Sequence, residues 1–434
     1  MHTHDVIGIG FGPSNVALAI ALQEMHQAGC QPVDMHFIEQ RPSFAWHPDM
    51  MLANTHMQVS FLKDLVSLRN PCSPYSFVNY LHQKGRLPHF INLKTFLPSR
   101  HEFNDYIRWA AAHFQNVCTY GERVQTIQPQ EESGRITRLR LQTVDTQGNT
   151  REYLTRNLAL GLGGTPRLPD IFRPLQDDPR VFHSHHYLQG IAHNPQARSI
   201  ALIGAGQSAA EVFMDLHDHP HRPEIDLIMR ARVIKPADDS PFVNEIFNAD
   251  LIDEFFGGTP TERQDFLTEF HHTNYACPDT QLIERIYRIF YEQKVTGQER
   301  HQLLPRHIVT HVQADDDGIY LGLQDTHSLQ SLTRRYDAVI LATGYEREQH
   351  RPLLAALAPY SPGLEVDRHY RLKTTPDFLP HVYIQGHNEK THGLADTLLS
   401  VMAIRTGEIA QALTQALQQT GQTHDDTLPT DAHI

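Results

Sequence analysis

Cysteine is scarce in this chain: Cys30, Cys72, Cys118 and Cys277 are the only four in 434 residues, and no two form a Cys-x-x-Cys pair. A disulfide scaffold and a dithiol redox centre both lack their means. Long apolar runs are missing too, so no stretch is built to span a bilayer. The opening Met1-His2-Thr3-His4-Asp5 has neither the basic nor the apolar region of a secretory leader. Positive charge is in deficit, with 37 Lys and Arg against 50 Asp and Glu and a formal net charge of −13. That balance argues against a nucleic-acid surface and a polybasic membrane anchor, and a cytoplasmic protein is expected.

What is present is ordinary for a soluble protein, at 40% hydrophobic and 20% charged residues, and the length suits two or three domains. Thirty histidines invite a metal reading. The clusters His183-Ser184-His185-His186 and His217-Asp218-His219-Pro220-His221 lack a Cys or Glu at the spacing of zinc sites. They are expected to be solvated loop histidines, with no metal bound.

The informative stretches are two strand-turn-helix units. In the first, Asp5-Val6-Ile7-Gly8-Ile9-Gly10-Phe11-Gly12-Pro13-Ser14-Asn15 runs into the apolar Val16 to Leu22. A short apolar run ending in Gly-x-Gly and opening onto a helical pattern lets a backbone approach a pyrophosphate at a helix N-terminus. The third small position is Pro13, a departure from Gly or Ala. Met35 to Glu39 reads as the next strand, and Glu39 falls where a ribose-binding carboxylate should follow, somewhat beyond the usual ~20 residues. In the second unit, Ser199 to Ile203 leads into Gly204-Ala205-Gly206-Gln207-Ser208-Ala209, with an acceptable Ala209. The following strand, Ile225 to Met229, ends in Arg230-Ala231-Arg232 rather than an acid, and an arginine there accommodates the 2′-phosphate of NADPH.

Between the units, Phe103, Tyr106, Ile107, Ala110 and Phe114 have helical spacing. Tyr336 to Tyr345 and Val382 to Gly386 read as further buried strands of an α/β sheet. The expected fold is α/β, with two Rossmann-like dinucleotide-binding domains and a small, mostly helical substrate-binding region. The first domain is expected over 1–166 and 336–416, and the second over 167–240 and 290–335. The substrate region would take 241–289 with contributions from the C-terminal segment, leaving 417–434 as an unstructured tail. Two dinucleotide sites imply traffic between a flavin and a nicotinamide. Without a dithiol, a flavin monooxygenase is the leading class, with oxygen as second oxidant.

Several motifs together resemble the microbial N-hydroxylating flavin monooxygenases, the lysine/ornithine N-monooxygenase family of hydroxamate siderophore biosynthesis. They are Gly8-x-Gly10-x-x-Pro13-Ser14-Asn15, Trp46-His47, Met57-Gln58, Phe61 to Leu65, Pro74 to Leu81, Gly204 to Ala209, Ala342-Thr343-Gly344-Tyr345 and His392 to Ser400. Within the family, Phe11 to Asn15, Lys235 to Glu245 and Leu282 to Tyr287 are more similar to the bacterial L-ornithine N5-monooxygenases than to the lysine enzymes. The resemblance implies FAD, NADPH and molecular oxygen, a C4a-hydroperoxyflavin, and N5-hydroxylation of L-ornithine. Lysine, a diamine or histamine is the alternative amine, and a non-catalytic nucleotide-binding sensor the alternative class. It also implies a homo-oligomer, a tetramer.

The same resemblance places Lys63, Asn244, Asn274 and Ser400 at the substrate, with Asn274 also near the nicotinamide ribose. It places Gly8, Gly10, Pro13, Ser14, Glu39, Trp46, His47 and Gln58 around FAD, and Gly204, Gly206, Gln207, Ser208 and Arg230 around NADPH. Asp49 departs from the glycine the family commonly has after Trp-His-Pro.

Overall fold

The first strand, β1 (Thr3–Ile9), is buried on both sides toward its carboxyl end, as suits a run of Val6-Ile7-Gly8-Ile9 in the middle of a parallel sheet. It leads into α1 (Pro13–Gln27), whose residues from Asn15 to Leu22 are all buried. A helix buried all round needs cover on both sides. The sheet supplies one and the last helix, Met402–Asp425, the other, through Ile409, Ala410 and Leu413 against Leu18, Ala21 and Leu22. This computed structural model describes residues 1–425.

Around β1 lie β2 (Met35–Glu39), β3 (Cys118–Tyr120), β4 (Glu122–Glu132), β5 (Arg135–Asp145) and β6 (Thr150–Leu160), in the order β3-β2-β1-β6-β5-β4. The first four in that order are parallel, and β4 to β6 form an antiparallel meander. Strand β6 is shared: Thr150 to Thr155 pairs with β5, whereas Asn157 to Leu160 pairs with the strand His381–Ile384 from near the end of the chain. The helical spacing that begins at Phe103 falls on α2 (Arg100–Ala112), which two shorter helices, Phe77–Gln83 and Leu87–Leu93, precede. Phe103, Tyr106, Ile107 and Ala110 fill the core beneath the sheet. Ser99 caps α2 by accepting from the Glu102 amide at 3.1 Å.

The second sheet is wholly parallel. It contains β7 (Val181–His183), β8 (Ser199–Ile203), β9 (Glu224–Met229), β10 (His301–Pro305) and β11 (Ala338–Leu341), ordered β10-β9-β8-β11-β7. Helix α3 (Gln207–Asp218) covers one face and a three-stranded antiparallel meander over 307–336 the other.

Three boundaries differ from those expected. The strand after Tyr336 belongs to the second sheet, because Ala338 to Leu341 pairs with Ile200 to Ile203, so the chain returns to the first sheet only after it. The break expected at 289/290 falls inside α4 (Thr280–Thr296), a continuous helix. The expected tail is helical through Asp425, and 426–434 lie outside the described residues. Short helices, Pro241–Asn244, Leu251–Gly257, Pro260–Glu269 and His271–Asn274, make up half of the region between β9 and α4. Ile246 and Phe247 of the 3-10 turn Glu245–Phe247, with Ile252, pack on Leu394, Ala395 and Val401 of the C-terminal segment.

Candidate active site

Both glycine turns sit at the carboxyl ends of their sheets, where open α/β sheets hold ligands. At the first, Gly10 has φ +80, and a Cβ there would lie 2.6 Å from the Gly161 carbonyl oxygen; a Cβ on Gly8 would lie 2.2 Å from the Phe37 ring. A Cβ on Gly12 would meet nothing within 4 Å, so the approach to the N-terminus of α1 is open. Pro13 occupies the first helical turn, where a missing N–H costs no hydrogen bond. Its presence leaves the turn intact. Glu39 closes the far side, accepting from the Phe11 amide at 2.8 Å and the Arg41 amide at 2.9 Å. Ser14 Oγ accepts from Arg405 Nη2 at 3.1 Å, and Arg405 is itself buried against Asp396.

Asn15 is a further organiser of this turn. Fully buried, it donates from Nδ2 to the Gly10 carbonyl at 2.6 Å, and its Oδ1 accepts from Gln385 at 2.9 Å. An amide opening an otherwise apolar helical run was the available signal.

The aromatic loop follows. His47 adopts the left-handed conformation at φ +47 and caps a 3-10 turn over Pro48–Met50. Asp49 lies inside that turn and not among the positive-φ residues, so the backbone there accommodates a side chain. Trp46 packs on Phe103. His47 stands edge-on to His185 and Tyr345, and burial, aided by His185, pushes its pKa down to about 3. Gln58 is exposed.

Lys63 is half-buried, and burial lowers the pKa of its ammonium. Among the described residues the ammonium has no carboxylate or hydrogen-bond partner, although the backbone amide donates to the Ser60 carbonyl at 2.9 Å. Its neighbour Asp64 anchors the loop by accepting from the amides of Val66 (2.9 Å), Ser67 (2.6 Å) and Phe77 (2.8 Å). Ser400 is buried in a 3-10 turn next to Val401, a member of the apolar cluster against which Val243, next to Asn244, also packs. The Asn244 amide donates to the Asp239 carbonyl at 2.7 Å, so its nitrogen is turned into its own loop and its oxygen is left to accept.

At the second turn, Gly204 has φ +149 and a Cβ there would lie 2.5 Å from the Ala342 carbonyl oxygen. Gly206 begins α3 and approaches Ala276, two residues from Asn274. Gln207 bonds Glu211 at 2.8 Å and Asp279 at 3.1 Å, while Ser208 is half-buried beside it. Arg230 stands exposed at the end of β9, with no acidic partner among the described residues. Arg100 of α2 joins the two sheets through a bidentate pair with Glu211 and also donates to the Met50 carbonyl at 3.0 Å.

The histidine clusters are only in part the solvated loops expected: His186 and His221 are exposed, whereas His183, His185 and His217 are held in contacts. His183 ends β7, is buried, and accepts from the His185 amide at 3.0 Å, and His185 contacts the Tyr345 hydroxyl at 3.2 Å. His217 lies on α3, 3.0 Å from the buried His301. Strand pairing and interdomain packing bury side chains that look like loop polar groups in sequence.

Two glycine turns, the aromatic loop and a lysine with an unpaired ammonium are accompanied by a match over residues 2–347 to the family described as L-lysine 6-monooxygenase/L-ornithine 5-monooxygenase. The chain belongs to this family. Among its relatives, the L-ornithine N(5)-monooxygenase of Pseudomonas aeruginosa is 49% identical over 96% of this chain and 94% of its own length. The solved ornithine hydroxylase from Pseudomonas aeruginosa superposes with TM-score 0.93 at 49% identity, covering 96% of this chain and all of that one. An ornithine N-hydroxylase from Kutzneria sp. 744, solved with reduced FAD, NADP+ and L-ornithine, gives 0.89 at 35% identity over 95% and 99% of the two chains. Members of this family therefore share the two-sheet frame described above.

Proposed function

We propose that the protein hydroxylates the side-chain amine of L-ornithine at N5, using FAD, NADPH and molecular oxygen, as a step of hydroxamate siderophore biosynthesis. The observation that carries this is the pair of glycine turns, each at the carboxyl end of a parallel strand in a separate sheet. The first turn, with Gly8, Gly10, the α1 N-terminus at Pro13 and Ser14, and Glu39, would hold FAD against Trp46, His47 and Gln58. The second, with Gly204, Gly206, Gln207 and Ser208, would hold NADPH, with Arg230 on its 2′-phosphate. When bound, the nicotinamide supplies hydride to the flavin, and the flavin activates oxygen.

The protein's own residues bind and desolvate. The unpaired Lys63 ammonium suits the substrate carboxylate, the free oxygen of Asn244 suits its α-ammonium, and Asn274 and Ser400 would flank the amine to be oxidised. That amine must be neutral to attack an electrophilic oxygen, whereas in water its pKa is near ~10.4. Burial already lowers Lys63, and the same desolvation favours the neutral amine of a substrate beside it. His47, neutral at working pH, puts no positive charge beside the flavin.

No helix among the described residues is long and apolar enough to cross a membrane, and a supply of NADPH and free ornithine suits a cytoplasmic enzyme. Exposed apolar side chains at Ile91, Leu93 and Phe96, and at Tyr287, Tyr291 and Val295 along α4, support a homo-oligomer. The deciding experiment incubates the purified yellow protein with NADPH, oxygen and a panel of ornithine, lysine, cadaverine and histamine, assaying hydroxylamine product. Ornithine should be converted best. Equal conversion of another amine, or NADPH oxidation without hydroxylamine from any, overturns the reading.

A further inference from the structure

At the end of β1 remote from the glycine turn, three side chains converge. His2 Nε2 lies 2.6 Å and His4 Nδ1 3.1 Å from Asp34 Oδ2, and the ligand atoms of all three lie within 4.8 Å of one another. Two residues apart on extended chain, His2 and His4 share a face.

Two of the three are held in place by groups that do not themselves face the convergence point. The Asp34 carbonyl accepts from the Asp5 amide at 3.0 Å and the Val6 amide at 3.2 Å, and its own amide donates to Asp5 Oδ2 at 3.0 Å. The His4 ring stacks on His36 at 5.1 Å between centroids, and His36 stacks on Tyr153 at 5.6 Å. His2 stands perpendicular to His4 at 4.7 Å and is exposed, free to adjust.

We propose that His2 Nε2, His4 Nδ1 and Asp34 Oδ2 form a binding site for a divalent transition ion of the zinc type, completed by water. Imidazole and carboxylate donors suit such ions, and bonds of ~2.0–2.2 Å in a tetrahedral shell place donors roughly 3.3 Å apart. The two distances to Asp34 Oδ2, 2.6 and 3.1 Å, would each open by less than about 1 Å, the larger shift falling on exposed His2. With a rise of about 3.3 Å per residue, His4 lies roughly 20 Å along β1 from Gly10. The ion would tie the first residues of the chain to the start of β2 and take no part in hydroxylation.

The test titrates ZnCl2 into metal-stripped, FAD-loaded full-length protein by calorimetry. One equivalent should bind, with affinity falling about tenfold or more in His4→Ala and in Asp34→Asn, and with a His219→Ala/His221→Ala control unchanged. Hydroxylation in EDTA should match wild type in every variant, and each should keep a single cooperative thermal transition, which separates loss of the site from misfolding. Absence of a stoichiometric site, or variants that titrate like wild type, overturns the proposal.

Discussion

Arg100 and Glu211, one from each dinucleotide unit, form a bidentate ion pair at 2.8 and 2.6 Å, both largely shielded from solvent. Glu211 also holds Gln207 at the second glycine turn, and Arg100 holds the Met50 carbonyl of the aromatic loop. Removing one partner leaves the other charge buried and uncompensated, a loss of roughly 3–5 kcal/mol. Glu211→Ala should lower unfolding stability by about that amount, measured by urea denaturation. Arg100→Met/Glu211→Met should recover most of the loss; additive losses would show that the two residues act independently.

Lys63→Ala tests the substrate end. A charge-assisted hydrogen bond contributes about 1.5–3 kcal/mol, so KM for ornithine should rise roughly 10- to 150-fold. The rate of NADPH oxidation at saturating NADPH should be nearly unchanged. Unaltered ornithine dependence would remove Lys63 from the substrate role.

Arg230→Ala should act on one cofactor only. Losing a cation at the 2′-phosphate should raise KM for NADPH about tenfold or more and leave NADH-supported turnover as it is. Steady-state kinetics with both nucleotides distinguishes this from a general defect, in which both would worsen together.

Stability should depend on pH through buried neutral histidines. Burial lowers His301 to about 3, with Arg300 and His217 adding to it, and lowers His183, His185 and His350 to about 4. Unfolded, each protonates near ~6.5. Between those values the unfolded chain binds more protons, so stability is full above about 6.5 and is lost as the pH falls toward the folded values. The denaturation midpoint should fall on acidification below about pH 6.5. His301→Gln should make that fall shallower, by up to ~1.4 kcal/mol per pH unit for the one proton removed; an unchanged slope would exclude His301 as a contributor.

Local backbone demands were legible without coordinates. Gly10 and Gly204 are required because a side chain would strike the carbonyls of Gly161 and Ala342, and both turns stand out as glycine beside an apolar run. The strands of β1, β2, β8 and β9 were legible for the same reason. Ala338 to Leu341 was legible as a strand but not as to its sheet, because an apolar parallel strand buried on both faces carries no mark of its neighbour. Sequence alone thus determined two nucleotide-binding turns, an arginine in place of the second acid, and the motifs of the family. Tertiary structure alone decided what meets across long separations: Glu211 with Arg100, Asn15 with Gln385, His217 with His301, and Asp34 with His2 and His4. Those pairings depend on which sheet edges and helix faces pack together, and packing is set by the whole chain rather than by any spacing along it.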